Sequence, residues 1–234
     1  MNACFYSTCR AACRGIKWLC IRERVLFREP ANEVGPVLVA VSHLGHLEPA
    51  FLTALFDRPI HWMTRVEFYQ WRWAALALNQ GGAFPVERYG FALPAVRRAI
   101  RLLDDGLVVG MFPEGGVVAG GQSALRGGSI KQGVCTISIR SGVPILPVAV
   151  LGVERLNGVS IWLPARRGRV CIAFGRPVLP PPGRRSNRRT RAELAARVGG
   201  EFVRVFEQIQ GMDTTADGQT GWSVRERSLL QNGS

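Results

Sequence analysis

This sequence of 234 residues is short of lysine, of histidine and of long apolar runs. Its longest uncharged stretches, Val34–Leu47, Trp73–Val86 and Ser141–Val153, are each broken by glycine and proline. All fall short of the roughly 18 apolar residues that a membrane-spanning helix needs, so none predicts a span. Arg10, Arg14 and Lys17 interrupt every candidate apolar core of an N-terminal signal. The expectation is an intracellular protein, soluble or peripherally attached to a membrane. None of the four cysteines near the N-terminus (Cys4, Cys9, Cys13, Cys20) is spaced C-x-x-C, the pattern of zinc ribbons and dithiol redox sites. Cys9, Cys13 and Cys20 fit one side of a helix, where small packing residues are the expected role ahead of a metal site. With only three histidines, any imidazole chemistry falls to His43, His46 or His61.

What is there is an ordinary globular balance. Hydrophobic residues make up 47% of the chain and charged residues 20%, enough for one domain with a real core and too apolar for general disorder. Thirty Lys+Arg against seventeen Asp+Glu leave a net charge of +13, with Lys17 and Lys131 the only lysines. Such a charge implies an anionic partner: nucleic acid, an anionic membrane surface or a phosphorylated substrate. The excess is concentrated late, since residues 161–204 hold eleven arginines and two glutamates. A run of this kind reads as a solvated face unless it meets phosphate. No RRM, zinc-finger or homeodomain pattern accompanies it, and an anionic bilayer accounts for the charge more simply, so no nucleic acid is expected.

Residues 3–28 read as an amphipathic helix, with Arg10, Arg14 and Lys17 at i, i+4 and i+7 beside Phe5, Ile16, Trp18, Leu19 and Leu26. That pattern fits an interfacial helix on anionic lipid and a helix packed on its own domain equally well. The compact run Val37–Val41 predicts a buried strand, followed by a helix through Leu55. Further strands are expected at 60–64, within 81–88, at Leu107–Phe112, Ile145–Val150, Ser160–Leu163 and Val170–Phe174. Helices are expected over Val66–Asn79, Leu93–Asp104 and Ile130–Ser141, with a glycine-rich loop running from Gly115 to Gly128. Alternating strands and helices predict an α/β fold: a single-domain sandwich with a largely parallel central sheet flanked by helices, plus the N-terminal amphipathic helix. The expected division is a membrane-surface helix in residues 1–30, the main domain in 31–211 and a flexible tail in 212–234.

His43 directly follows the first buried strand, and Glu48 stands five positions later across a strand-to-helix turn. Open α/β sheets gather their sites at the carboxyl ends of strands, where this turn falls. A carboxylate beside an imidazole fixes its tautomer and steadies the imidazolium, which makes a general base. An isolated pair of this kind is more often structural than catalytic. His43, His46 and Glu48 also offer metal-ligand types, but they crowd one turn, and no other stretch supplies His or Cys at ligand spacing. The chain has no G-x-S-x-G, and Gly115–Gly121 matches neither G-x-x-x-x-G-K-[ST] nor G-x-G-x-x-G. Serine-hydrolase and nucleotide-loop readings therefore lack support.

Four segments occur in order: His43-x4-Glu48-Pro49, Gly82-x-Phe84-Pro85-Val86-Glu87-Arg88, Phe112-Pro113-Glu114-Gly115 and Val143-Pro144-Ile145-Leu146-Pro147-Val148-Ala149. Their order and spacing resemble the four sequence blocks of the glycerolipid acyltransferase family, of the 1-acylglycerol-3-phosphate type, over roughly residues 35–178. The resemblance implies transfer of an acyl group from a thioester, acyl-CoA or acyl-carrier protein, to the hydroxyl of a lysolipid, with no metal or organic cofactor. By position, His43 would be the base and Glu48 would orient it. Arg88, Glu114 and Gly115 would line the acceptor site, Lys131 would support it, and Pro147 would shape the thioester or acyl side. An enzyme of this kind would work peripherally at the cytoplasmic face of the cell membrane, held to anionic lipid by the N-terminal helix and the late arginines.

Three departures from the family pattern bear on substrate. Glu48 stands where the family usually has Asp, and Ser42-His43-Leu44-Gly45 replaces Asn-His-x-Ser. The third block continues Gly115-Gly116-Val117-Val118 in place of Gly-Thr-Arg-Ser, which removes the arginine usually placed near an acceptor phosphate. Arg126, Arg88 and Lys131 are the electrostatic substitutes at hand, and an acceptor other than lysophosphatidic acid is the other consequence. The alternative function is a non-catalytic binder of anionic membranes or nucleic acid on an acyltransferase-like fold. Loss of His43 separates the two, since a binder tolerates it and an enzyme does not.

Overall fold

The computed structural model describes residues 2–26, 35–87, 92–118, 120–153 and 168–215. The amphipathic N-terminal segment forms helix α1 (Ala3–Cys20), but the chain then becomes strand β1 (Ile21–Leu26) and does not continue as helix to residue 28. β1 adds to the edge of the sheet, where backbone ladder bonds replace helical ones. There follow β2 (Val37–Val41), α2 (Glu48–Leu55), β3 (Ile60–Arg65), α3 (Arg72–Gln80), β4 (Phe84–Val86), α4 (Leu93–Asp104) and β5 (Val108–Met111). The second half adds α5 (Gly133–Ser141), β6 (Ile145–Leu151), β7 (Gly168–Phe174) and α6 (Arg188–Thr215).

Among the described residues, seven strands form one sheet in the order β1-β7-β6-β2-β5-β3-β4. Every pairing is parallel except β6 with β7, which run antiparallel. The expected α/β sandwich with a largely parallel sheet is therefore the observed architecture. β2 lies at the centre and is buried at all five positions, as a strand covered by helices on both faces must be. Val37, Val39 and Val41 face a core shared with Phe51, Leu52 and Phe56 of α2 and its exit. Leu38 and Ala40 face the other core, shared with Ala95, Ala99 and Leu103 of α4 and with α5 and α6. On α4 these three small or apolar residues at i, i+4 and i+8 are buried while Arg97, Arg98 and Arg101 are exposed, which is the 3.6-residue stripe its sequence promises.

Several expected elements shift. The helix read over Val66–Asn79 divides into a 3-10 turn, Val66–Tyr69, and α3, with Gln70 and Trp71 between them. The helix read from Ile130 begins only at Gly133, which leaves Lys131 in the approach. Of the Arg-rich stretch 161–204 read as a solvated face, residues 168–174 form β7 and residues 188–204 belong to the long helix α6, which also takes in residues 212–215 of the expected tail. Leu194, Val198, Phe202, Val205 and Ile209 are buried along one side of α6, while Arg188, Arg189 and Arg197 are exposed. Gly199-Gly200 in its middle lowers intrinsic helix propensity and masks the apolar period in the sequence. The expected strand Ser160–Leu163 and the residue Arg88 lie outside the described residues, as does the chain beyond 215.

Helix α1 packs on the domain. Tyr6 is buried and its hydroxyl accepts the Ile60 N–H at 3.3 Å. Arg10 pairs with Asp57 at 2.8 Å, and Arg14 Nε donates to the Ala54 carbonyl at 3.3 Å. Two of the basic residues expected to meet lipid therefore face the C-terminal end of α2, where unsatisfied carbonyls attract cations.

Candidate active site

β2 ends at Val41, and the next two residues carry the chain past the sheet edge. Ser42 is fully buried: its N–H donates to the Val148 carbonyl at 3.0 Å and its Oγ accepts from the Val150 N–H at 3.0 Å. That arrangement extends the β2–β6 ladder by one residue and delivers His43 at the carboxyl end of the central strand. The His43 ring stacks on Phe112 at 4.0 Å, and Phe112 stacks on Trp62 at 5.6 Å. Trp62 is fixed in turn by its indole N–H, which donates to Thr53 Oγ1 at 3.0 Å. Gly110 makes room for this stack, because a Cβ there would stand 2.6 Å from the Trp62 ring.

Glu48 opens α2 and is fully buried. Its Oε1 accepts the Leu44 N–H at 2.8 Å and the Gly45 N–H at 2.5 Å, so the carboxylate holds the turn that follows His43. The same Oε1 stands 3.6 Å from His43 Nδ1, beyond hydrogen-bond distance, while Oε2 and Nδ1 are buried without partners. The extra methylene of Glu thus reaches the imidazole but commits one oxygen to the backbone. Catalytic hydrogen bonds are commonly long before substrate binds and tighten only with it. With Nδ1 buried against Glu48, Nε2 is the ring nitrogen left to face incoming molecules.

Glu114 follows β5 and acts as a clamp. Its Oε2 accepts the His43 N–H at 2.7 Å, and its Oε1 accepts the Ser123 hydroxyl at 2.8 Å and the Ala124 N–H at 2.7 Å. Burial pushes the carboxyl above its ordinary range, while these three donors and the neighbouring His43 pull it back. The clamp is closed further by the Val118 N–H, which donates to the His43 carbonyl at 2.9 Å. Glu114, Val118, Gly121, Gln122, Gly128 and Ser129 line an open cleft of about 340 Å³ between Glu114 and the glycine-rich loop.

Gly115 adopts φ +74°, and the Lys131 side chain lies across it; a Cβ at Gly115 would sit 2.5 Å from Lys131 Nζ. The structure therefore brings His43, Glu48, Glu114, Gly115 and Lys131 together at one end of the sheet. Pro147, expected on the thioester or acyl side, stands in the strand next to the one that carries His43. It is buried in β6 opposite Ala40, in register on the face of Leu38 and Ala40, and its carbonyl accepts the Gly175 N–H at 2.8 Å where the β6–β7 ladder ends. Lacking an N–H, proline suits that end position. Of the candidate substitutes for the missing arginine, Arg126 lies 5.6 Å over the Phe206 ring on α6. His46 is exposed, edge-on to His43 with ring centroids 6.3 Å apart. His61 is buried away from this cluster, with Nδ1 on the Gly82 carbonyl at 2.9 Å.

Sequence reasoning did not pick out Trp62, Thr53 or Ser123. Phe112 was visible as the residue before Pro113-Glu114, but its stacking on His43 depends on β2 and β5 being neighbours, which no local pattern encodes.

The fold and this cluster define an α/β sandwich that carries a buried histidine–carboxylate pair at the carboxyl ends of parallel strands. A family model described as Acyltransferase matches residues 23–151, and the chain belongs to that family. Among curated proteins, the 1-acyl-sn-glycerol-3-phosphate acyltransferase of Bacillus subtilis (strain 168) is 26% identical over 142 residues, 60% of this chain and 66% of that protein. The chain thus spans slightly less than two thirds of that relative's length. Among solved structures, the 1-acyl-sn-glycerophosphate (LPA) acyltransferase PlsC of Thermotoga maritima superposes with a TM-score of 0.66 at 20% identity, covering 88% of this chain and 79% of that one. The likeness to that structure is one of fold.

Proposed function

We propose that this protein is an O-acyltransferase that moves a fatty acyl group from a thioester, acyl-CoA or acyl-carrier protein, to the hydroxyl of a lysolipid of the 1-acylglycerol-3-phosphate class, in phospholipid synthesis. The observation that carries the reading is the buried His43–Glu48 pair at the carboxyl end of the central parallel strand, with Nδ1 3.6 Å from the carboxylate. In the reaction, the acceptor O–H gives its proton to His43 Nε2 as its oxygen attacks the thioester carbonyl carbon. Collapse of the tetrahedral intermediate breaks the C–S bond, and the thiolate takes the proton from the imidazolium. Glu48 positions the ring and steadies its charged form. Glu114 holds the backbone of His43, and the Lys131 ammonium is the cation nearest Gly115 to meet an acceptor phosphate. The acceptor is a membrane lipid, so the enzyme works peripherally on an anionic membrane surface, at the cytoplasmic face.

The test is lipid mass spectrometry of the purified protein with each thioester donor and a panel of lysophosphatidic acid, other lysophospholipids and lyso-aminolipids. A diacyl product formed by wild type and reduced about 10²–10⁴-fold by His43→Ala is expected from loss of a general base. Absence of product from every pairing overturns the proposal and leaves the binder reading.

A further inference from the structure

Helix α3 buries none of its residues. Together with the 3-10 turn before it and the two residues that join them, it presents Phe68, Trp71, Trp73 and Leu76 to the outside, the last three 60%, 72% and 63% exposed, and the two indoles stack in parallel at 6.0 Å. A water-facing helix is ordinarily polar on that side, and a contiguous exposed apolar patch marks an interaction surface. Arg72 stands among these rings with no partner among the described residues, whereas Arg65 and Glu67 pair at 2.9 Å. The patch follows directly in the chain on a strand that supports the site. It hangs from the carboxyl end of β3, the strand whose Trp62 stacks on Phe112 and through it on His43.

We infer that the Val66–Gln80 segment is the face by which this protein inserts into an anionic lipid bilayer, with the aromatic rings in the interface and Arg72 against the headgroups. Tryptophan rings beside a cation suit the boundary between headgroups and acyl chains. Charge complementarity selects this occupant over a second copy, because two chains of +13 repel while an anionic bilayer attracts each of them. The assignment moves the membrane contact from Arg10 and Arg14 of α1, which are engaged with α2, to α3. It rests on the lysolipid acyl-transfer reading only for the reason a bilayer is approached, since the acceptor resides there.

The test is vesicle co-sedimentation of the full chain on phosphatidylcholine with and without phosphatidylglycerol, together with quenching of tryptophan fluorescence by lipids brominated on the acyl chain. Trp71→Ser/Trp73→Ser/Leu76→Ser is expected to weaken partitioning by about tenfold or more, and Arg72→Gln to reduce the preference for phosphatidylglycerol. Trp71→Phe/Trp73→Phe, which keeps the face apolar, is expected to bind like wild type and to lose most of the quenching. Unchanged binding by the triple variant, or quenching lost with Trp18→Phe in place of the α3 pair, overturns the inference. So does a wild type that ignores vesicles and forms a dimer dispersed by the triple variant. None of these readouts needs turnover, so they stand apart from the His43→Ala assay, which tests acyl transfer itself.

Discussion

Removing the Glu114 carboxylate tests the clamp that joins the histidine turn to the glycine-rich loop. In Glu114→Ala three donors lose their acceptor: the His43 N–H, the Ser123 hydroxyl and the Ala124 N–H. Each buried donor left unsatisfied costs about 1–3 kcal/mol. The adjoining cleft admits water, and a water there satisfies one or two of the three at a cost of about 0–2 kcal/mol each. A net destabilisation of about 3–5 kcal/mol follows. Glu114→Gln keeps one carbonyl oxygen but turns an NH₂ donor toward at least one of the same N–H or O–H groups, so its loss is smaller but of the same sign, about 2 kcal/mol. Urea unfolding followed by circular dichroism measures both. The clamp also fixes the backbone of His43, so the residual folded Glu114→Ala protein should show a lowered kcat with less change in KM. A change below about 1 kcal/mol in Glu114→Ala refutes the reasoning, because it would mean that the three hydrogen bonds hold nothing that water does not.

Other expectations follow from single contacts. Burial holds the His61 imidazole below its ordinary value of 6.5, and Nδ1 donates to Gly82 while Nε2 has no partner to receive a second proton. The folded state therefore binds fewer protons than the unfolded one below pH 6.5, and stability should fall as pH drops from there through the folded value, by at most about 1.4 kcal/mol per pH unit. His61→Gln should flatten that slope in urea titrations at a series of pH values. Gly110→Ala puts a methyl group into the Trp62 ring, with an expected cost of about 1–3 kcal/mol in urea unfolding and a drop in kcat as the Phe112 stack under His43 shifts. Tyr6→Phe leaves the buried Ile60 N–H without its acceptor and should destabilise by about 1–3 kcal/mol. Arg10→Ala should change stability by less than about 1 kcal/mol, because its partner Asp57 is well exposed.

Local pattern determined most of the fold's parts. The apolar run Val37–Val41, the stripe Ala95–Ala99–Leu103 and the turn between Val41 and Glu48 are each set by residues close together in the chain, and their elements stand within a residue or two of expectation. The candidate pair was legible for the same reason, since His43 and Glu48 are joined by one short turn. The tertiary structure decided what depends on non-local neighbours. Glu114 became a clamp only because β5 lies beside β2, which brings its two oxygens to the His43 N–H and to Ser123 and Ala124. The sheet's register put Pro147 beside Ala40, on a face no spacing rule specifies. The end of α1 at Cys20 was settled by β7, which offered residues 21–26 a parallel partner. Gly199-Gly200 hid α6 from propensity, and contact of Val198, Phe202 and Val205 with the core restored it. Sequence fixes periodicity and turns through bonds a few residues long; which faces meet is a property of the assembled sheet.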